Sequence, residues 1–305
     1  MAGGRKARAE LEAFVAAEIA APQPGAPMAA ARRIAERVGE AALAVVFYGA
    51  CLRTGEIDGR VLDFYVIVSS YRAVYGSRLA RTANRLLPPN VYFDDCQFEG
   101  RTVRFKFAVL SLAALRHRVS ERCYNVSVWA RFSQPVALVY AADEGARRAV
   151  VEAVADAACT MAAKSLPLMA EDWQAETLWR AAFARTYRSE LRAERSGKGD
   201  ELFALYAERY EAITPLIRAA LGDGPQGSRL ACNLAWLGRR IEGKLVSVLR
   251  LIKGAFTYDG GLDYLAWKVS RHSGIPVVIK PWHRRVPIIG GLVLFISLRL
   301  KGAFR

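Results

Sequence analysis

Apolar residues along this chain change their spacing as the sequence proceeds. Between residues 43 and 110 they come in short runs rich in Val, Phe, Tyr and Ile, at 43–48, 61–68, 90–93 and 102–110, parted by polar and glycine-bearing stretches. Such runs predict β-strands. The N-terminal MAGGRKARAELEAFVAAEIAA predicts a helix and not a signal peptide, because Glu10, Glu12 and Glu18 interrupt any apolar run. Its apolar positions are mostly alanine, which predicts light packing on the first domain. APQPGA breaks the chain, and a second helix rich in Ala and Arg is expected over 28–38. A further helix is expected over 75–86, ended by Pro88 and Pro89. From residue 112 onward helical spacing dominates, over 112–119, 145–166, 171–191, 200–221 and 230–252. Glycine-bearing breaks at 196–199 and 222–227 separate the later helices.

The expected fold class is therefore α+β. A mixed-sheet domain would occupy 1–166, a mostly helical domain 167–270, and a basic and apolar tail 271–305. In that tail VPIIGGLVLFISL (286–298) is uncharged, with basic clusters on both sides. As a helix it would cover roughly 20 Å, short of a bilayer's hydrocarbon core. Six basic and no acidic residues from Lys280 to Arg305 favour an interfacial or re-entrant anchor on an anionic lipid surface over a buried core element.

Charge narrows the class of partner. Lys plus Arg number 44 against 29 Asp plus Glu, a formal +15, which predicts an anionic partner: nucleic acid, nucleotide or acidic lipid. Five dispersed cysteines form no CxxC pair and suggest neither a disulfide framework nor a zinc site, so a reducing compartment fits. None of the three histidines lies in a HExxH context and no GxSxG is present, which argues against zinc and serine hydrolase chemistry.

One carboxylate stands out. Asp63 lies in VLDFYVIV, a strand apolar enough to be buried, and an unpaired buried carboxylate costs several kcal/mol. Such a residue faces a metal, a cation or a cleft. The competing reading is a β-hairpin whose aspartate caps or salt-bridges locally. The preceding strand ends in a tight turn at Gly49, and strand, small-residue turn and acid on the next strand follow the layout of polymerase-beta-type nucleotidyltransferases. Lys106 likewise interrupts an apolar strand, either to meet a phosphate or, on an edge strand, to reach water.

Further segments join this pair: LPPNVYF (87–93), VRFKFAVLS (103–111), TYRSELRAE (186–194) and LIKGAFTYDGGLDYLAWKVSR (251–271). In this order they resemble the mitochondrial-type phosphatidate cytidylyltransferases, the translocator assembly and maintenance family, in a bacterial-like version. The resemblance runs from about Val45 to Arg271. It implies a nucleotidyltransferase-like domain followed by a helical, winged-helix-like one, and synthesis of CDP-diacylglycerol from CTP and phosphatidate with Mg²⁺. It places the phosphate-binding turn on Gly49 and Ala50, the metal-binding acid on Asp63, and a triphosphate-facing charge on Lys106. Tyr187, Glu190 and Arg192 fall on the family's Tyr, acid and Arg, with Arg192 as a phosphate clamp. Ala130, Arg131, Pro135 and Val136 fall on its Gly-Arg and Pro-Val pairs, and Lys253 and Gly254 on its Lys-Gly segment. Ala50 stands where the family has serine, leaving only backbone N–H groups to hold phosphate. Position 65 is tyrosine where nucleotidyltransferases at large carry a second Asp, so a second metal ligand is expected from Asp58 or Glu190.

The resemblance implies a peripheral enzyme on the cytoplasmic face of the cell membrane, with no nucleic-acid partner. Basic residues on 230–252 (Arg239, Arg240, Lys244, Arg250, Lys253) would meet lipid headgroups or form a solvated face. Two alternatives remain open: transfer to another acceptor, an RNA end or a small phosphorylated alcohol, and a catalytically inactive lipid-binding scaffold.

Overall fold

The computed structural model describes residues 2–190, 198–222, 227–257 and 279; Arg192 and the apolar tail segment 286–298 lie outside them. The described chain is a mixed α+β structure built on one five-stranded sheet of order β3-β4-β2-β1-β5. Its elements are α1 (Ala2–Ile19), α2 (Ala26–Val38), β1 (Ala42–Tyr48), α3 (Ala50–Thr54), β2 (Val61–Val68), α4 (Tyr71–Val74), α5 (Arg78–Leu86), β3 (Asn90–Phe98), β4 (Arg101–Ser111), α6 (Leu112–Val119), α7 (Trp129–Phe132), β5 (Ala137–Ala141), α8 (Glu144–Ala163), α9 (Ala175–Ser189), α10 (Lys198–Leu205), α11 (Ala207–Leu221) and α12 (Arg229–Thr257). Among the described residues no strand follows β5.

β2 runs antiparallel to β1 and parallel to β4, so the sheet is mixed at its centre. Both faces of the central strands are covered, which is why β1, β2 and β4 read as nearly continuous apolar runs. Alternation along the strands sorts their side chains onto two faces. One face carries the cross-strand row Phe47, Phe64, Phe107 and Tyr92. Its rings meet at 5.0 Å between Phe47 and Phe64 and 5.4 Å between Tyr92 and Phe107. Ala30, Ala31 and Ile34 of α2 close over this face.

The opposite face carries Val46, Tyr65, Ile67, Ala108 and Leu110, and it is covered by α6, α7 and α8. The same apolar cluster continues through Trp179 and Phe183 of α9 to Tyr210 and Ile213 of α11. Trp179 Nε1 donates to Thr214 Oγ1 at 2.8 Å inside it. The helical half thus shares a core with the sheet across residue 167, where a domain change was expected.

Local chemistry explains where the helices begin. Ser77, Ser111 and Asp143 cap α5, α6 and α8 by accepting a backbone N–H, the last at 2.7 Å. α1 departs from the light packing expected of it: Leu11, Val15 and Ile19 are fully buried. Glu18 pairs with the buried Arg209 of α11, whose Nη1 also donates to the Ser133 carbonyl at 3.1 Å.

Candidate functional site

β2 and β4 lie in parallel register with Asp63 beside Lys106, and β1 sets Tyr48 beside Asp63 from the other side. Strand alternation points Tyr48, Asp63 and Lys106 to the same face as Tyr65. Lys106 Nζ lies 2.9 Å from Asp63 Oδ1, and the Asp63 side chain is 21% exposed. β4 sits inside the sheet, so the edge-strand reading of Lys106 does not apply. The ion pair marks the end of this face where the apolar cover gives way.

The turn after β1 is shaped around the carboxylate. Gly49 has φ +92°, a left-handed conformation that side chains disfavour, and a Cβ there would stand 3.1 Å from Asp63 Oδ2. Gly49 precedes α3, a single short turn beginning at Ala50. Cys51, buried in that turn, has its thiol pKa pushed up by burial and then by the charge of Asp63, which places it close to the carboxylate.

Tyr48 and Tyr65 stack at 4.8 Å. Beside them Arg131 of α7 meets Glu190 at the end of α9 in a two-pronged contact, Nη1–Oε1 3.0 Å and Nη2–Oε2 3.3 Å. Burial acts to lower the Arg131 pKa, but Glu190, followed by Tyr65 and Tyr48, more than reverses this and raises it. The pair therefore stands over the same sheet face as Asp63.

The two acids proposed to complement Asp63 are engaged elsewhere. Glu190 is only 8% exposed and bound to Arg131. Asp58 is 82% exposed and paired with Arg101 at 3.1 Å, beyond the start of β2. Among the described residues no group of three metal-ligating side chains forms. Tyr187, on α9, packs at the margin of the main core.

α12 crosses this region and turns part of its basic set inward, while Arg240 and Lys244 stay exposed. Arg239 is buried, 5.0 Å from the Tyr124 ring and 5.2 Å from the Trp236 ring. Lys253 Nζ donates to the Pro89 carbonyl at 2.8 Å and to that of Leu87. Gly243 permits the closest approach, since a Cβ there would overlap the Ser189 carbonyl next to Glu190. Meanwhile Leu230, Leu234, Leu237, Ile241, Leu245 and Val248 face outward and are exposed.

Sequence reasoning did not single out Tyr48 and Tyr65. Strand register supplied the signal for both, since Tyr65 follows Asp63 by two and Tyr48 lies across from it. Compared with known proteins, the chain matches no family model and no curated protein sequence.

Proposed function

We propose that the chain is a nucleotidyltransferase acting at an anionic membrane surface, with CTP and phosphatidate as the substrates its resemblance implies. The observation that carries this reading is the row Tyr48, Asp63, Lys106 beneath the Gly49 turn, a carboxylate and an ammonium held side by side at the open end of a sheet face. The order of strand, glycine turn, short helix and acid-bearing strand supports a nucleotidyltransferase-like sheet.

In the reaction a phosphate oxygen of the acceptor attacks the α-phosphorus of CTP, the bond to the β-phosphate breaks, and pyrophosphate leaves. The acceptor is already anionic, so no general base is required. Lys106 would move from Asp63 to the triphosphate and neutralise charge on the leaving group. Backbone N–H groups after Gly49 would take phosphate oxygens in place of a serine hydroxyl.

A single carboxylate suits Mg²⁺ that arrives with the nucleotide, because Mg²⁺ is commonly held by one or two carboxylates plus substrate phosphates and water. Asp63 would hold it, and the ion would neutralise charge on the triphosphate. Glu190 serves instead as a positioning residue that fixes Arg131 over the tyrosine stack.

Membrane attachment is supported by α12. Its outward face combines the apolar stripe with Arg229, Arg240 and Lys244 and presents no acid. A second copy of this face would bring like charges together, whereas anionic lipid would complement them. Among the described residues no helix is long and apolar enough to cross a membrane.

The test supplies radiolabelled CTP and Mg²⁺ with three acceptors: phosphatidate in mixed vesicles, glycerol 3-phosphate, and an RNA end. Label in the lipid fraction supports the proposal; label only in another acceptor transfers the reading to that substrate. The pairing of Asp63 with Lys106 favours, as a second reading, a non-catalytic module, and no label anywhere would establish it. Flotation of Leu237→Gln/Ile241→Gln on anionic vesicles tests the helix: the double variant should bind more weakly than wild type, and unchanged flotation would refute α12 as a contact.

A further inference from the structure

Where the inward side of α12 meets α6 and the loop after it, the chain forms an open cavity of about 220 Å³, lined in part by His117, Arg118, Tyr124, Asn125, Glu242 and Arg250. Its charge is unbalanced. Arg250 enters from α12 with Nε and Nη2 both buried and both lacking a hydrogen-bond partner. Among the described residues no carboxylate lies within ion-pair distance of Arg250 or Arg118. Glu242, an acid in the lining, already accepts from Asn125 Nδ2 with both oxygens at 2.9 Å.

The neighbouring cations do not relieve this. Arg131 is matched by Glu190, and Lys253 donates to backbone carbonyls. Burial and then the Arg131 charge push the Arg250 guanidinium down to about 10, and burial followed by Arg250 and Arg118 pushes the Lys253 ammonium down to about 8. Leaving a buried cation uncompensated is strongly destabilising. Orphaned donors in a roomy polar cavity mark a place for an absent acceptor.

We propose that this cavity binds a phosphomonoester, with Arg250 and Arg118 supplying N–H donors from two walls and His117 a further donor at the exposed mouth. The guanidinium fork matches phosphate oxygens two at a time, which a chloride or a single carbonyl cannot exploit. Because the outer face of the same helix carries the apolar stripe, the phosphate could be a lipid headgroup; a soluble phosphoester has the same chemistry. The inference does not rest on the transferase reading, since it requires no turnover and no role for Asp63.

The experiment measures thermal unfolding and isothermal binding of the full chain with inorganic phosphate and glycerol 3-phosphate, against chloride at matched ionic strength. Flotation on phosphatidylcholine vesicles containing either phosphatidate or the phosphodiester lipid phosphatidylglycerol is run in parallel. Phosphate should raise the midpoint and chloride should not. Arg250→Met should unfold at higher temperature than wild type without phosphate, because an unpaired buried charge is gone, yet lose at least tenfold in phosphate affinity. Arg118→Gln, on the opposite wall, should lose affinity without that gain and serves if Arg250→Met fails to fold. Preference for phosphatidate over phosphatidylglycerol assigns the headgroup as the source; soluble binding without that preference assigns a free phosphoester. Equal effects of phosphate and chloride, or full phosphate affinity in both variants, would overturn the site.

Discussion

The two faces of the sheet are drawn from alternate residues of the same strands, yet they do different work. On the α2 side Phe47, Phe64 and Phe107 continue an unbroken aromatic row to Tyr92. One residue away, after Phe47 in β1 and before Phe64 and Phe107 in β2 and β4, the other face presents Tyr48, Asp63 and Lys106. A step of one residue in β2 separates a fully buried phenylalanine from a partly exposed carboxylate. The first face supplies rigidity through packing, and the second uses that rigidity to hold a charge pair at the edge of its cover.

Substitutions on either side of that divide should separate stability from chemistry. Phe64→Ala should cost about 3–5 kcal/mol, as expected for a truncated buried aromatic, measured by urea unfolding. A loss below about 1 kcal/mol would mean that the aromatic row is not the structural face. Glu190→Gln should cost about 2 kcal/mol, because it leaves Arg131 without its counter-charge; this is less than for a fully buried pair, since Arg131 keeps some solvent contact. A shifted Mg²⁺ dependence with unchanged stability would instead return Glu190 to the role of metal ligand.

Gly49→Ala should cost about 1–2 kcal/mol for the left-handed turn and, more tellingly, disturb Asp63 through the added Cβ. Activity should then fall further than the stability loss accounts for. Wild-type activity in this variant would detach the turn from the site.

A pH dependence is set by α12 where it meets the start of β3. The Lys253 ammonium is lowered to about 8, below its ordinary 10.5, by burial and then by Arg250 and Arg118. Between those values the unfolded chain holds a proton that the native chain has lost, so this residue makes stability rise with pH across the window; below about 8 both states are protonated and its contribution is flat. Comparing wild type with Lys253→Met by denaturant unfolding at pH 7.5, 9 and 10.5 isolates it. The variant should lose ground to wild type as pH rises, and a constant difference would show that α12 does not bury this ammonium.

What the sequence disclosed follows the same divide. β1, β2 and β4 were legible because strands covered on both faces are apolar throughout, and Asp63 and Lys106 were legible as exceptions. β3 runs five residues beyond its expected end: Asp94 and Asp95 resemble a loop in sequence, but on an edge strand Asp94 pairs with Arg37 at 2.8 Å. β5 is a five-residue edge strand after a proline, too short for its alternation to register. The helix expected over 200–221 divides at Tyr206, whose φ of −127° and ψ of 30° are imposed with neither glycine nor proline. Pairings across long sequence separations were not legible. Glu190, a candidate metal ligand by resemblance, is instead paired with Arg131, which approaches from α7. Arg239 and Arg250 resembled a solvated face until the packing of α12 turned them inward.

Asp63 is proposed to bind the metal of the transfer and not merely to pair with Lys106. The most direct measurement is CTP-dependent labelling of phosphatidate by Asp63→Asn beside wild type, with both unfolding midpoints recorded on the same preparations. The nearly isosteric variant should fold with a midpoint close to wild type and retain less than a tenth of its turnover. Turnover above a tenth in a folded variant, or failure of the variant to fold, would contradict it.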